Sequence, residues 1–235
     1  MTNSVGDGSR IDVLDKGFVR LVDFLGGDEA VVQAARVSLG QESKGDKRDR
    51  LLIDYLLGHK HETPFEHSVF KFHIKCPIFV ARQWFRHRIA SYNEISGRYT
   101  EMSFEFFLPE RLRQEKGLDY QYEELDEQAN KEILTQIEDF YSKSYDLYKT
   151  LLQKGVAKEH ARIVLPLSLY TQFYWTLNAR ALLNFLMLRT DRHAQYEIRQ
   201  YAEAILKIFA EKMPWSYEAY KKYCILKDPD ENDSE

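Results

Sequence analysis

The longest periodic stretch of the chain, Glu127 to Lys154, does most to limit the fold. Ile133, Ile137, Phe140, Tyr141, Tyr145, Tyr148, Leu151 and Leu152 recur at steps of three and four, so they share one side of a helix. Lys131, Glu132, Glu138, Asp139, Lys143 and Lys149 take the other side, and Gly155 stops the run. A helix of this length and polarity must pack on a core or on a partner subunit. The 235 residues leave room for a single full-sized domain around it. A domain of this size removes roughly 70% of its unfolded surface from water and needs no staples.

Strands are few and separated by helices. Ile11 to Leu14 is a short strand candidate, and Ser68 to Lys75 alternates, with Phe70, Phe72 and Ile74 opposite Lys71, His73 and Lys75. Tyr170 to Leu177 alternates again through Phe173, Trp175 and Leu177. Helices are expected over Asp28–Leu39, over Asp46–Leu57 with Gly58 at its C′ position, and from Pro77 to Arg88. A polar turn, Ser91–Gly97, then leads into a strand over Arg98–Leu108. Ala179–Leu188 reads as a buried helix. Asp191 can cap the next one, whose stripe is Ile198, Tyr201, Ile205, Ile208 and Phe209 and which Pro214 ends. The expected fold is α+β: a single domain with a small, mainly antiparallel twisted sheet surrounded by helices, one of them long. That domain spans residues 1–226, with 1–10 as a flexible N-terminus and 227–235 as a disordered acidic tail.

Charge and motifs exclude several classes of function. From Lys227 to Glu235 five acids face one lysine, a balance equal to the whole chain's −4, so the body is neutral. A neutral body argues against a general nucleic-acid binder. The only G-x-G, Gly6-Asp7-Gly8, has no strand before it and no third glycine, and no G-x-x-x-x-G-K-[ST] exists. Two cysteines, Cys76 and Cys224, make neither a disulfide framework nor a four-thiolate metal site. With no signal-like start and no long apolar span, a cytoplasmic protein without membrane attachment is expected.

Three regions concentrate polar chemistry. Between Arg82 and Arg98 four arginines face one glutamate, a local +3. Cations there could offset a helix dipole, but planar guanidinium forks also suit phosphate, and Ser91, Asn93, Glu94 and Ser96 follow as hydrogen-bonding partners. The second region is His59-Lys60-His61-Glu62-Thr63-Pro64-Phe65-Glu66-His67. Its acids and histidines invite a metal-dependent hydrolase reading through His61, Glu62, Glu66 and His67. The histidines are six apart across Pro64, however, which is wrong for a helical zinc motif and favours a loop whose His61 and Thr63 can meet a ligand. The third is Asn178-Ala179-Arg180 with Asn184, then Arg189. Arg180 and Asn184 share a face of an otherwise apolar helix, so they must meet protein partners or a polar ligand. Arg162 is a further arginine in an apolar setting.

Arg86-His87-Arg88 followed after seven residues by Ser96, within Arg-His-Arg-x-x-Ser-x-Asn-Glu-x-Ser-x-Arg ending at Arg98, resembles the signature of the flavin-dependent thymidylate synthases. The resemblance continues through His61–His67, Ala161–Pro166, Asn178–Arg180 and His193-Ala194-Gln195, and covers roughly Ile11 to Tyr223. It implies an FAD-containing homotetramer with shared active sites. The implied reaction methylates dUMP to dTMP with carbon from 5,10-methylenetetrahydrofolate and electrons from NADPH. By resemblance, Thr63, Arg86, His87, Arg88, Glu94, Asn178, Arg180 and Asn184 hold FAD. Gln83, Trp84, Phe85, Arg86, Glu94, Ile95, Ser96, Gly97, Arg98, Arg162 and Arg189 hold dUMP. No metal is expected. Arg189 is the expected catalytic group: it stays protonated, so it would stabilise charge on the uracil rather than act as a base. Cys76 and Cys224 are expected to be structural.

Overall fold

The computed structural model describes residues 10–38, 40, 42–117 and 122–225. Residues 1–9 of the expected N-terminal arm, the acidic tail and Leu39 at the end of the first helix lie outside the described residues; Arg10 opens the first strand rather than a flexible arm. The fold is α+β, as expected. Five antiparallel strands form one sheet in the order β1-β2-β3-β7-β4: β1 Arg10–Val13, β2 Gly17–Leu25, β3 Val69–Pro77, β7 Tyr170–Asn178 and β4 Ser91–Glu94. A separate ribbon pairs β5 (Arg113–Glu115) with β6 (Tyr122–Glu124). The helices are α1 Asp28–Val37, α2 Asp46–Gly58, α3 Ile78–Trp84, α4 Glu127–Gln153, α5 Lys158–Ala161, α6 Ala179–Arg189, α7 Tyr196–Lys212 and α8 Pro214–Tyr220. No helix among the described residues is long and apolar enough to cross a membrane.

The alternation of β3 and β7 builds the main core. Phe70, Phe72, Ile74 and Cys76 face inward, and across the ladder Phe70 opposes Leu177, Phe72 opposes Trp175 and Ile74 opposes Phe173. Onto this face pack Trp84 of α3, Phe185 of α6, and Tyr201, Ile205 and Phe209 of α7. On the other face the His73 ring stacks on Tyr174 with centroids 4.9 Å apart.

The 27-residue α4 begins at Asp126, whose carboxylate accepts from the Gln128 and Ala129 amides, and ends at Gly155 with φ +82°. Its tyrosines secure a segment with almost no secondary structure of its own. The Tyr145 hydroxyl donates to the Met102 carbonyl at 3.1 Å and Tyr141 to the Phe107 carbonyl at 2.9 Å, while the Met102 amide donates to the Tyr148 oxygen at 3.0 Å. A second core, with Met102, Phe106, Tyr148, Ala161 and Leu169, forms there. Ile133 and Phe140 of the expected stripe are exposed.

Several local expectations are corrected. β2 has no counterpart among the expected strands, because a bulge between Leu21 and Asp23 breaks its alternation. Ser91–Glu94 is an edge strand rather than a turn; its residues are mostly exposed, so it carries no apolar pattern. Arg98–Leu108 is not a strand and keeps a single bridge, Phe106 to Leu169. α3 stops at Trp84, short of Arg88. Gly58 is the last residue of α2 rather than its C′; a Cβ there would come within 2.9 Å of the Tyr223 ring, so close packing explains the glycine. Asp191 does not cap α7. It accepts from the His193 amide at 2.7 Å, and Gln195 occupies the N-cap without a side-chain bond to the helix amides. Pro214 opens α8 after α7 has ended at Lys212.

Candidate active site

α3 delivers the Arg-His-Arg triplet by ending early. Tight turns close from the Arg86 amide to the Gln83 carbonyl and from the His87 amide to the Trp84 carbonyl, and the Tyr92 hydroxyl donates to the His87 carbonyl at 2.7 Å. The triplet is thus held off the helix end against β4. At the C-terminal end of α6, Arg189 Nε donates to His87 Nε2 at 2.9 Å. Burial, then the neighbouring Arg189 charge, push His87 down to about 4. The ring is therefore neutral near pH 7, with Nε2 as acceptor and the proton on Nδ1. Burial and the Arg86 charge also lower Arg189, which remains a cation. Among the described residues Arg82, Arg86, Arg88 and Arg189 form no pair with a carboxylate.

The N-terminal end of α6 differs. Asn178 caps it by accepting from the Ala181 amide at 2.9 Å. Arg180 Nε donates to Glu62 at 3.2 Å and Nη1 to Glu66 at 2.7 Å. Glu62 precedes and Glu66 lies within a 3₁₀ turn, Thr63–His67, where a loop was expected. Thr63 is exposed beside them, and Asn184 is exposed one turn along α6. Met187 and Leu188 are exposed as well, so α6 is buried on one side only, through Leu182, Leu183, Phe185 and Leu186. The metal-hydrolase arrangement does not assemble here. Both glutamates face a guanidinium, His61 lies edge-on to Tyr55, and no three metal-ligating side chains converge among the described residues.

A third group surrounds β4 and the turn after it. Glu94 accepts from the Thr171 hydroxyl at 2.5 Å, the Ile95 amide donates to the Gln172 carbonyl at 2.9 Å, and the Arg98 amide donates to Ser96 Oγ at 3.3 Å. Arg98 pairs with Glu159 at 3.0 Å. Gly97 is buried against Arg162: a Cβ there would lie 3.2 Å from Arg162 Cδ. Arg162 is exposed, not in the apolar setting expected.

One chain therefore gathers the expected residues into three groups rather than one crevice. An 11-residue helix is about 16 Å long, so Arg180 and Arg189 stand at well-separated ends of α6. The Trp84 indole is fully buried, stacked on Phe185, so it shapes the core beneath the site instead of lining it. Phe85 is half-buried, edge-on to Phe173. Gln83 donates to Gln195, and Gln195 donates to Glu197. Sequence reasoning gave no role to Glu197, Tyr92 or Thr171, whose spacing carries no motif of its own.

The sequence and fold that carry this Arg-His-Arg turn match a known family. Residues 20–215 match the family model described as thymidylate synthase complementing protein. The chain belongs to the flavin-dependent thymidylate synthase family. It is 56% identical over 216 residues to the flavin-dependent thymidylate synthase of Thermotoga neapolitana, covering 91% of this chain and 95% of that one. To that of Thermosipho melanesiensis it is 58% identical over 217 residues, covering 90% and 93%. Among solved structures, it resembles the UMP/dUMP methylase PolB from Streptomyces cacaoi bound with 5-Br dUMP. The TM-score is 0.84 and the identity 38%, with 93% of this chain and 100% of that chain covered.

Proposed function

We propose that this protein methylates dUMP to dTMP in the cytoplasm, with FAD as its flavin, 5,10-methylenetetrahydrofolate as carbon donor and NADPH as reductant. The observation that carries this reading is the Arg86–His87–Arg189 group, a buried-edge cationic site that no carboxylate among the described residues neutralises. Such a site favours an anionic ligand, because nothing must be displaced to bind it. The donor set fits a dinucleotide as well as a mononucleotide. Arg86 and Arg88 are exposed and unpaired among the described residues, Arg180 keeps Nη2 free, and Thr63, Asn178 and Asn184 add short polar groups.

Arg86, His87, Arg88, Thr63, Glu94, Asn178, Arg180 and Asn184 would hold FAD. Gln83, Phe85, Arg86, Glu94 to Arg98, Arg162 and Arg189, with main-chain groups at Trp84, would hold dUMP. Their division into three groups suits a homotetramer in which several subunits complete each crevice. A bound flavin supplies the redox step. The protein's part is electrostatic. Neutral His87 engages Arg189 Nε and leaves the two terminal nitrogens of the guanidinium free to stabilise negative charge developing on uracil N3 and its carbonyls. Cys76 does not serve as a nucleophile: its thiol is wholly buried and its pKa is pushed well up by burial.

The test is an absorption spectrum of the purified protein. Flavin bands that bleach with NADPH, and dTMP formation when dUMP and the folate are added, are expected. A colourless protein with stoichiometric zinc or iron would overturn the reading in favour of a hydrolase.

A further inference from the structure

Behind Gln83 runs a hydrogen-bonded chain that ends in a buried acid. Gln83 Nε2 donates to Gln195 Oε1, Gln195 Nε2 donates to Glu197 Oε2 at 2.6 Å, and Glu197 Oε1 accepts from Arg113 Nη2 at 2.6 Å. Glu197 is 5% exposed in the first turn of α7, where a carboxylate is favoured, and Arg113 arrives from the separate β5–β6 ribbon, stacked over Tyr196. The direction of this chain is not free. A carboxylate only accepts, so Gln195 must turn its NH2 to Glu197 and its carbonyl oxygen to Gln83. Gln83 must in turn give an N–H to Gln195, which leaves its own carbonyl oxygen facing outward beside the triplet.

We infer that Glu197 is a positioning residue that, through Gln195, makes Gln83 present a hydrogen-bond acceptor to the nucleotide. This rests on the dUMP reading above. An outward acceptor recognises a donor, and dUMP has two outside its phosphate: the base N3–H and the ribose 3′-hydroxyl. It does not suit the phosphate oxygens.

Glu197→Gln tests this with little change of shape. Arg113 can only donate, so the substituted amide must direct its carbonyl to Arg113 and its NH2 to Gln195. Each amide in the chain then turns over, and Gln83 presents N–H groups instead. In the full-length protein the expected result is a dUMP KM raised about tenfold, the scale of one lost hydrogen bond left mismatched. Flavin content should stay unchanged, and kcat should move less than KM. Comparing N3-methyl-dUMP with 2′,3′-dideoxyuridine monophosphate separates the two donors: the analogue lacking the recognised one loses the difference between wild type and variant. A dUMP KM that is unchanged or lower in Glu197→Gln overturns the inference, since reversed amides would improve a phosphate contact. Gln195→Ala keeps the Arg113–Glu197 pair, so it reports even if Glu197→Gln folds poorly. It should raise KM without adding to the effect of Gln83→Ala, and independent effects would likewise overturn the inference. Wild-type protein that binds no dUMP rejects the proposed function itself, a separate outcome.

Discussion

The two ends of α6 both carry an arginine, yet they are electrostatic opposites. At the N-terminal end the helix dipole disfavours Arg180, and two carboxylates, Glu62 and Glu66, offset it within the same chain. At the C-terminal end the dipole favours Arg189, but its neighbours are a neutral histidine and another arginine. One end brings its own anions; the other leaves that role to a ligand. An anion would therefore gain more at the C-terminal end, while the N-terminal end holds its guanidinium in position with carboxylates of its own.

The strongest way to break this comparison is Arg189→Ala. It should lower kcat for dTMP by about 10²–10³-fold, as loss of a charge-stabilising donor does, while the flavin stays bound. Near wild-type turnover would remove Arg189 from the chemistry. Next, Arg88→Ala should weaken flavin retention more than Arg180→Ala does, because Arg88 has no internal carboxylate among the described residues and Arg180 has two. Flavin-to-protein ratios after gel filtration give the ranking, and equal ratios would mean that internal carboxylates do not set how much an arginine contributes to holding the flavin. The smallest effect is one of pH. His87 titrates near 4 when folded, below its ordinary 6.5. The unfolded chain thus takes up the proton first. The stability this ring contributes is full above pH 6.5 and is lost as pH falls toward 4. The melting temperature of wild type should therefore fall relative to that of His87→Asn as pH drops through that window, and a constant difference would mean the ring is not held below its ordinary value.

The sequence revealed the core strands because their chemistry is local: Phe70, Phe72 and Ile74 alternate with charges, and Phe173, Trp175 and Leu177 repeat the pattern. The long helix was visible from its three-four spacing. Elements whose pattern is interrupted or absent stayed hidden. β2 carries a bulge, and β4 is a solvent-facing edge whose four residues bury little. The site was legible as residue types in a signature but not as an arrangement. Nothing in the spacing says that Arg180 meets Glu62 and Glu66 from more than a hundred positions away, or that Gln195 and Glu197 stand behind Gln83. Such contacts depend on how α6 and α7 cross the sheet, which only tertiary packing decides. The expectation for Trp84 shows the same limit from the other side. It falls within a stretch expected from resemblance to hold the nucleotide, yet helical phase turns its indole into the core.

The sealed thiol at the end of β3 also provides an internal clock. Cys76 has no accessible surface and a strongly suppressed thiolate, so a maleimide can reach it only when the helices packed on the inner face of the sheet come away. Cys224, half-exposed near the end of the described chain, would take the first label quickly. The slow second label would then time the uncovering of that core face, and a bound nucleotide that braces this architecture should lengthen that interval.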